Sequence, residues 1–238
     1  MKIFVTGVAG FLGRHIASKM LENGHVVSGC DSLIGGDTNN IPNNVEFTNA
    51  DCCDLSKIIN LIKDSDIVYH CAATAHEGLS VFSPSFVTKN IYEASVSVFS
   101  ASCINKVKKI VFCSSMARYG NQNSPFTEDM VPKPCDPYGI AKVAAEETLK
   151  ILSKVHGVDY SIAVPHNIVG PYQKYDDPYR NVMSIMLNRL LQKKPAIIYG
   201  DGSQTRCFSY VDDCVQCLEK IALDDKANNQ VINIGPDE

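Results

Sequence analysis

The chain has 238 residues, of which 45% are hydrophobic and 20% charged, a composition typical of a globular protein. Its 26 acidic residues outnumber 22 Lys and Arg, and the net charge of −4 comes with no basic run that would suit a phosphate backbone. We therefore expect no nucleic-acid partner. The start MKIFVTG does not resemble a secretion signal, and no apolar stretch is long enough to span a membrane, so we expect a cytoplasmic protein without a membrane partner.

Ten cysteines are scattered over predicted strands and helices, which favours reduced thiols over a disulfide framework. Cys214 and Cys217 form a CxxC pair, but their segment has the period of an amphipathic helix. No second Cys or His pair lies nearby at ligand spacing. We predict core packing for this pair and no metal site.

Stretches of strand character alternate with helical stretches through the first two thirds of the chain. The apolar runs that predict strands are residues 3–5, 25–30, 67–72, 109–114 and 160–164. The helical stretches are residues 11–23, 54–63, 84–104 and 138–155, and Asp136 followed by Pro137 is typical of a helix start. Because parallel strands need long right-handed crossovers, this alternation predicts an α/β Rossmann fold, a doubly wound parallel sheet with helices on both faces.

The character of the sequence changes near residue 165. The segment that follows is rich in Pro, Gly, Asn, Asp and Tyr and has no clear hydrophobic period, which predicts a long loop. The elements predicted after it are a helix at 179–192, strands at 197–199 and 206–210, a helix at 211–223 and a strand at 231–234. We predict a Rossmann domain over 1–164 and a smaller, partial lobe over 165–238. Residues 211–234 of that lobe could return to the Rossmann sheet.

A glycine turn, GxxGxxG, follows the first predicted strand directly. Gly7 lets the chain turn, Gly10 lets the backbone approach a pyrophosphate, and Gly13 lets the helix pack closely on the sheet. A tight turn alone could also explain three glycines. Asp31 ends the second strand, where a carboxylate can bind an adenosine ribose, although a plain turn residue is the alternative. No Lys or Arg lies between Lys19 and Lys57 to hold a 2′-phosphate, so NAD is favoured over NADP.

Tyr138 and Lys142 are four residues apart, so a helix starting near Pro137 places both on one face. A tyrosine acts as a base near neutral pH only when positive charge lowers its pKa from about 10, and Lys142 and the helix N-terminus can supply that charge. Ser115 follows a buried strand and could hold the reacting oxygen. The alternative is a packed ring beside a surface amine.

Five segments in order, TGVAGFLG, SSMARYG, YGIAK, PHNIVGP and QTRCFSYVDD, resemble the extended short-chain dehydrogenase/reductase family, in its NAD-dependent epimerase/dehydratase group. The resemblance implies a catalytic trio of Ser115, Tyr138 and Lys142. It also implies which residues bind the cofactor, namely Gly7, Gly10, Phe11, Leu12, Gly13, Asp31, Asp51, Cys52, Cys71, Ala72, Ala73, Asn90, Tyr138, Lys142 and Pro165. The residues it implies for the substrate are Ser115, Asn167, Asn181 and Arg206, with His166 beside them and Arg206 at a nucleotide-sugar diphosphate.

Within this group the chain most resembles the UDP-glucose 4-epimerases. Met116 and Ala117 replace the Asp-Glu pair of the dehydratases, so the resemblance implies C4 epimerisation of a UDP-hexose in a homodimer built on helices 84–104 and 138–155. Val164 and the run Glu93, Ala94 and Ser95 depart from the family pattern, and family members continue the sugar lobe past INIGPDE. A nucleotide-sugar reductase or decarboxylase, and a non-catalytic NAD-binding protein, remain open alternatives.

Three polar residues lie near the predicted site, namely His76, Glu77 and Arg118. Each could contact a sugar, but polar residues on loops are more often solvated. We therefore expect them to be solvent-exposed loop residues outside the site.

Overall fold

The computed structural model describes residues 1–177, 179, 181–198 and 200–236. Its strands are β1 (Lys2–Thr6), β2 (Val26–Asp31), β3 (Glu46–Asn49), β4 (Ile67–His70), β5 (Lys109–Cys113), β6 (Asp159–Pro165), β7 (Ile168–Val169), β8 (Ser209–Tyr210) and β9 (Gln230–Ile234). Seven of them form one sheet in the order β3-β2-β1-β4-β5-β6-β9, and every pairing in it is parallel. The direction of winding reverses between β1 and β4, which is where open sheets of this kind bind ligands.

Helices cover both faces of this sheet. They are α1 (Phe11–Glu22), α2 (Leu55–Ile62), α3 (Glu77–Ser80), α4 (Pro84–Thr88), α5 (Ala94–Ile104), α6 (Pro137–His156), α7 (Val182–Leu191) and α8 (Val211–Leu223). One core joins α1 and α8 to alternate strand residues such as Val5, and the other joins α2, α5 and α6 to the intervening residues such as Phe4. The predicted doubly wound Rossmann fold is confirmed.

The predicted start of α6 is confirmed in detail. Asp136 is the N-cap residue, its carboxylate accepts a hydrogen bond of 2.8 Å from the Gly139 N–H, and Pro137 is the first helical residue. This cap sets the residue at which α6 begins. Tyr138 therefore lies in the first turn of the helix, and Lys142 lies one turn further along.

Three sequence predictions differ from the structure. The predicted helix 84–104 contains a π-helical turn, Lys89–Glu93, between α4 and α5. The strand β3 was not predicted, because its sequence EFTN is short and half polar. Residues 197 and 198 form no strand, residue 199 lies outside the described residues, and only Ser209–Tyr210 of the run 206–210 pairs, with Ile168–Val169 inside the predicted loop.

The C-terminal elements return to the sheet. Helix α8 packs on α1 through buried residues such as Cys214, and β9 extends the sheet beside β6. Cys217 is exposed, so the predicted core packing of the CxxC pair is wrong for its second residue, and all ten cysteines are free thiols. Among the described residues, no helix is long and apolar enough to cross a membrane. The predicted division of the chain at residue 164 stays a prediction.

Candidate active site

One cavity of about 540 Å³ runs along the carboxyl edge of the sheet, over the point where the winding reverses. It is lined by nearly every residue that the sequence predicted for the site, namely Gly7, Gly10, Phe11, Leu12, Gly13, Asp31, Asp51, Cys52, Cys71, Ala72, Ala73, Asn90, Ser115, Tyr138, Lys142, Pro165, Asn167 and Asn181. Arg206 and His166 are not among its lining residues. The cavity therefore joins the predicted cofactor residues to the predicted catalytic trio.

The glycine turn leaves no room for side chains. Gly7 has φ +72°, and a Cβ there would lie 2.9 Å from the Cα of Ala72. A Cβ on Gly13 would lie 2.2 Å from the Gly7 carbonyl oxygen. Gly10 is the N-cap of α1, and no described side chain caps that helix, so its first N–H groups stay open to an anion. This cradle fits a pyrophosphate.

Asp31 lies at the end of β2, at the far end of the cavity from α6. Its carboxylate accepts hydrogen bonds from the N–H groups of Ala9, at 3.2 Å, and Leu33, at 2.8 Å. Burial raises the pKa of Asp31 above its ordinary value, against the opposite effect of these two hydrogen bonds. A Cβ on Gly36 would lie 2.9 Å from the carboxylate oxygens, so Gly36 leaves space beside it. This placement fits binding of a ribose.

Thr6 connects β1 to the end of β4 and was not predicted as a site residue. Its hydroxyl accepts hydrogen bonds of 3.2 Å from the N–H groups of both Cys71 and Ala72. The same hydroxyl lies 2.7 Å from Nδ1 of the buried His70, whose Nε2 lies 2.9 Å from the Ser95 hydroxyl. Burial lowers the pKa of His70 to about 3, so the ring stays neutral. This chain of contacts fixes the backbone against which Gly7 packs.

Ser115, Tyr138 and Lys142 meet at the other end of the cavity. Tyr138 and Lys142 are 7% and 3% exposed. Burial raises the pKa of Tyr138, while a hydrogen bond with the Ser115 side chain acts in the opposite direction. The Lys142 ammonium donates a hydrogen bond of 2.7 Å to the Cys113 carbonyl and lies 6.0 Å from the centre of the Tyr138 ring. The predicted pair is therefore inside the cavity wall and not on the surface.

Burial lowers the pKa of Lys142 to about 8, and the charge of Glu146, one turn further along α6, opposes that change. Lys142 therefore keeps a proton near neutral pH in a buried position. Tyr138 also lies in the first turn of a 20-residue helix, where the helix dipole favours negative charge. Both effects act against the burial that raises the pKa of Tyr138.

Only some of the predicted substrate residues lie at the cavity. Asn167 has φ +36° and donates a hydrogen bond of 3.0 Å from its amide to the Cys207 carbonyl. The Asn181 side chain caps α7 by accepting from the Ser184 N–H at 3.1 Å and donates to the Ile168 carbonyl at 3.2 Å. Both residues line the cavity, but the hydrogen bonds of their side chains go to backbone groups. The exposed Arg206 donates to its neighbour Thr205 instead of reaching the cavity.

Two residues expected to be solvent-exposed are not. Arg118 is 2% exposed and forms an ion pair with Glu146, with 3.0 Å between Nη2 and Oε2. His76 lines the cavity, and its Nε2 lies 2.8 Å from the Asp177 carboxylate. The expectation was wrong for both because their carboxylate partners lie far away in sequence. The other lining residues that were not predicted are Ser32, Ile34, Gly35, Gly36, Asn40, Thr74, Ala75, Leu79, Phe86, Ala94, Cys113, Ser114, Ile168, Tyr172, Gln173, Lys174 and Asp177.

The comparisons with known proteins agree with this geometry. The model of the NAD dependent epimerase/dehydratase family matches residues 3–235. This chain belongs to that family. The UDP-glucose 4-epimerase of Mycolicibacterium smegmatis is 33% identical over 99% of this chain and 77% of its own length. The UDP-N-acetyl-alpha-D-glucosaminuronate decarboxylase of Bacillus cytotoxicus is 31% identical over 100% of this chain and 75% of its length.

A solved structure shows the same architecture. The UDP-glucose 4-epimerase of Thermotoga maritima, crystallised with UDP-glucose, superposes with a TM-score of 0.94 at 32% identity, covering 99% of this chain and 77% of that one. The cofactor of this NAD-dependent enzyme family therefore fits the glycine cradle and Asp31.

The described residues contain no group of three or more His, Cys, Asp or Glu arranged to hold a metal ion.

Proposed function

We propose that this protein is an NAD-dependent 4-epimerase of a nucleotide sugar, with a UDP-hexose as the substrate. The observation that carries this proposal is the convergence of Ser115, Tyr138 and Lys142 in one cavity with the glycine turn and Asp31. Cofactor residues alone would only bind a dinucleotide. A buried base at the other end of the same cavity adds chemistry to that binding.

The trio performs the proton transfers of this reaction. Tyr138 accepts the proton of the sugar C4 hydroxyl, and Ser115 holds the same oxygen by a hydrogen bond. Lys142 favours the ionised form of Tyr138 by its charge. NAD bound on the glycine turn and Asp31 would supply the acceptor and donor of the C4 hydride. Tyr138 then gives its proton back to the oxygen after the keto sugar has turned its other face toward the cofactor, so no net oxidation occurs.

The absence of a carboxylate pair argues against dehydration. Met116 and Ala117 stand directly after Ser115, where the dehydratases that the sequence resembles carry Asp and Glu. Elimination of water needs an acid and a base beside the sugar, and these two side chains can be neither. Epimerisation needs only the trio and the cofactor.

The proposal is tested by incubating the purified protein with UDP-glucose, UDP-N-acetylglucosamine and UDP-glucuronic acid and analysing the sugars by NMR. We expect the C4 epimer of at least one of them, without accumulation of NADH. If none of the three gives a C4 epimer, the proposed function is wrong.

A second candidate is decarboxylation of a nucleotide-sugar uronate, favoured by the 31% identity to the Bacillus cytotoxicus decarboxylase. It predicts release of carbon dioxide and a pentose product from UDP-glucuronic acid, and a reductase predicts net consumption of NADH. A non-catalytic NAD-binding protein predicts NAD binding in calorimetry with no nucleotide-sugar affinity. Assays of carbon dioxide and NADH therefore separate the enzyme alternatives, and calorimetry separates them from the non-catalytic protein.

We also propose that the enzyme is a homodimer. Helix α6 exposes three apolar side chains, Ile140, Ile151 and Val155. Exposed apolar patches of this kind mark interaction surfaces. We expect light scattering to give the mass of a dimer, and the double substitution Ile151→Glu and Val155→Glu to give a monomer. A monomeric wild-type protein at micromolar concentration contradicts this proposal.

A further inference from the structure

A buried ion pair lies directly behind the catalytic trio. Glu146 follows Lys142 by one turn of α6 and Tyr138 by two, so the three side chains share one face of the helix. Its carboxylate is 0% exposed and accepts a hydrogen bond of 3.2 Å from Arg118 Nε, and Arg118 Nη2 lies 3.0 Å from the same oxygen in an ion pair. The Ser114 hydroxyl donates to its other oxygen. A buried carboxylate with this number of donors is held in one position.

Arg118 belongs to the other element that carries the trio. It lies in the 3-10 turn Met116–Tyr119, for which Ser115 is the N-cap residue. The Arg118 N–H donates a hydrogen bond of 3.1 Å to the Ser115 carbonyl, and the Ala117 N–H donates one of 3.2 Å to the Ser115 hydroxyl. The guanidinium of Arg118 is thus attached through a short, bonded turn to Ser115.

The turn is anchored on its far side as well. Arg118 Nη1 donates a hydrogen bond of 2.9 Å to the Tyr119 hydroxyl, which donates one of 2.9 Å to the side-chain carbonyl of Asn233 in β9. The Arg118 carbonyl accepts a hydrogen bond of 2.8 Å from the Lys133 N–H. Arg118 therefore links three elements: the serine turn, α6 and the last strand of the sheet.

We propose that Arg118 and Glu146 are positioning residues that set the distance between Ser115 on the turn and Tyr138 on α6. This inference rests on the proposed function and assigns no contact with substrate or cofactor to either residue. Transfer of a proton between a tyrosine and a sugar hydroxyl depends on placement within fractions of an ångström, and a shift of about 1 Å can cost roughly a hundredfold in rate. The ion pair joins the two elements through opposite charges at the centre of these buried contacts.

The test separates positioning from stability. Arg118→Met and Glu146→Met each leave a buried charge without its partner, so we expect both to unfold at lower temperature. The double variant leaves neither charge behind, so we expect its unfolding temperature to recover most of that loss. We expect kcat of the double variant to stay at least about tenfold below wild type, with KM for the sugar changed less than about threefold.

The matched control is the ion pair between Glu147 and Lys150 on the exposed face of the same helix, with 2.6 Å between the charged atoms. Its double substitution to Met removes one carboxylate and one cation, as the test does, and we expect no change in kcat. Recovery of kcat together with stability in the Arg118→Met, Glu146→Met variant overturns the proposal, because the pair would then serve stability alone.

A second measurement does not depend on turnover. We expect hydrogen exchange of the amides at residues 115–119 to be at least about tenfold faster in the stability-recovered double variant than in wild type, because the turn has lost its tie to α6. Unchanged exchange there overturns the positioning role. If the wild-type protein epimerises no nucleotide sugar, the proposed function fails, and the exchange measurement still decides the positioning role.

Discussion

The cofactor end of the cavity and the segment on its sugar side, residues 166–210, are built in different ways. At the cofactor end, the fit is made by backbone atoms, with Gly7 against Ala72 and Gly13 against Gly7 at distances that exclude a single added carbon. The sugar-side segment has two strands of two residues, and α7 exposes Leu187, Leu190 and Leu191. The cofactor end is therefore shaped by backbone atoms, and the sugar-side segment presents side chains at the surface.

This difference separates specificity for the dinucleotide from specificity for the sugar. Backbone geometry selects the dinucleotide, and glycines report it directly in the sequence. The residues proposed for the sugar, Asn167 and Arg206, would act through side chains, and in this structure those side chains donate hydrogen bonds to the Cys207 and Thr205 backbone carbonyls. Substitutions at the cofactor end should therefore change NAD affinity, and substitutions at the sugar end should change KM for the nucleotide sugar.

The largest expected effect is at the catalytic tyrosine. Tyr138→Phe removes the proton acceptor, so we expect kcat to fall roughly a thousandfold while NAD affinity changes little. Tyr160→Phe, on β6 away from the cavity, is the matched control and should leave kcat unchanged. Steady-state kinetics and NAD calorimetry on both variants check this. Retained activity in Tyr138→Phe would remove the tyrosine from the mechanism.

The cofactor end is tested by two glycines with nearly the same backbone angle. Gly7 has φ +72° and would clash with Ala72 on gaining a Cβ, whereas Gly157 has φ +69° and open space within 4 Å. We expect Gly157→Ala to cost about 1 kcal/mol of stability and no NAD affinity. We expect Gly7→Ala to weaken NAD binding at least about tenfold, by calorimetry. Equal NAD affinity in the two variants would mean that the close approach does not shape the site.

Burial of Lys142 predicts how stability depends on pH. Its pKa is lowered to about 8 in the folded protein from 10.5, so below pH 8 the folded state holds a buried charge. We expect Lys142→Met to be more stable than wild type by about 3 kcal/mol at pH 7. Between pH 8 and 10.5 the folded protein loses this proton before the unfolded chain does, so the difference shrinks toward zero. Urea unfolding at pH 7, 9 and 10.5 measures it, and a constant difference contradicts the assignment.

The smallest expected effect is at the sugar end. If Arg206 binds the diphosphate of the substrate, Arg206→Ala should raise KM for the nucleotide sugar about tenfold and leave NAD affinity as it is. The exposed Lys193→Ala is the control for loss of a surface cation. A fall in NAD affinity in Arg206→Ala, or an unchanged KM, would show that the two ends are not separated as described.

The predicted residues that line the cavity were found because their sequence signals are local. The glycine turn, Asp31 after β2 and the spacing of Tyr138 and Lys142 each depend on a few neighbouring residues. Arg118 could not be found in this way, because an arginine is usually exposed and its partner Glu146 lies 28 residues away. Thr6 was missed because a threonine in an apolar strand carries no signal of its hydrogen bonds to β4.

Parts of the fold were missed for related reasons. The strand β3 exists because β2 offers a paired edge, and its own residues show little alternation. The run at residues 197–199 has strand-like composition, but residues 197 and 198 are exposed and have no strand partner among the described residues. Composition predicts a strand only where the fold provides a neighbour.

The central claim is that a hydride leaves C4 of the sugar and returns to the same carbon from the opposite side. The most direct test uses UDP-glucose carrying deuterium at C4, with the product analysed by NMR and mass spectrometry. We predict UDP-galactose with the deuterium still at C4 and no net NADH. Loss of the deuterium to water, or no C4 epimer at all, would contradict the account.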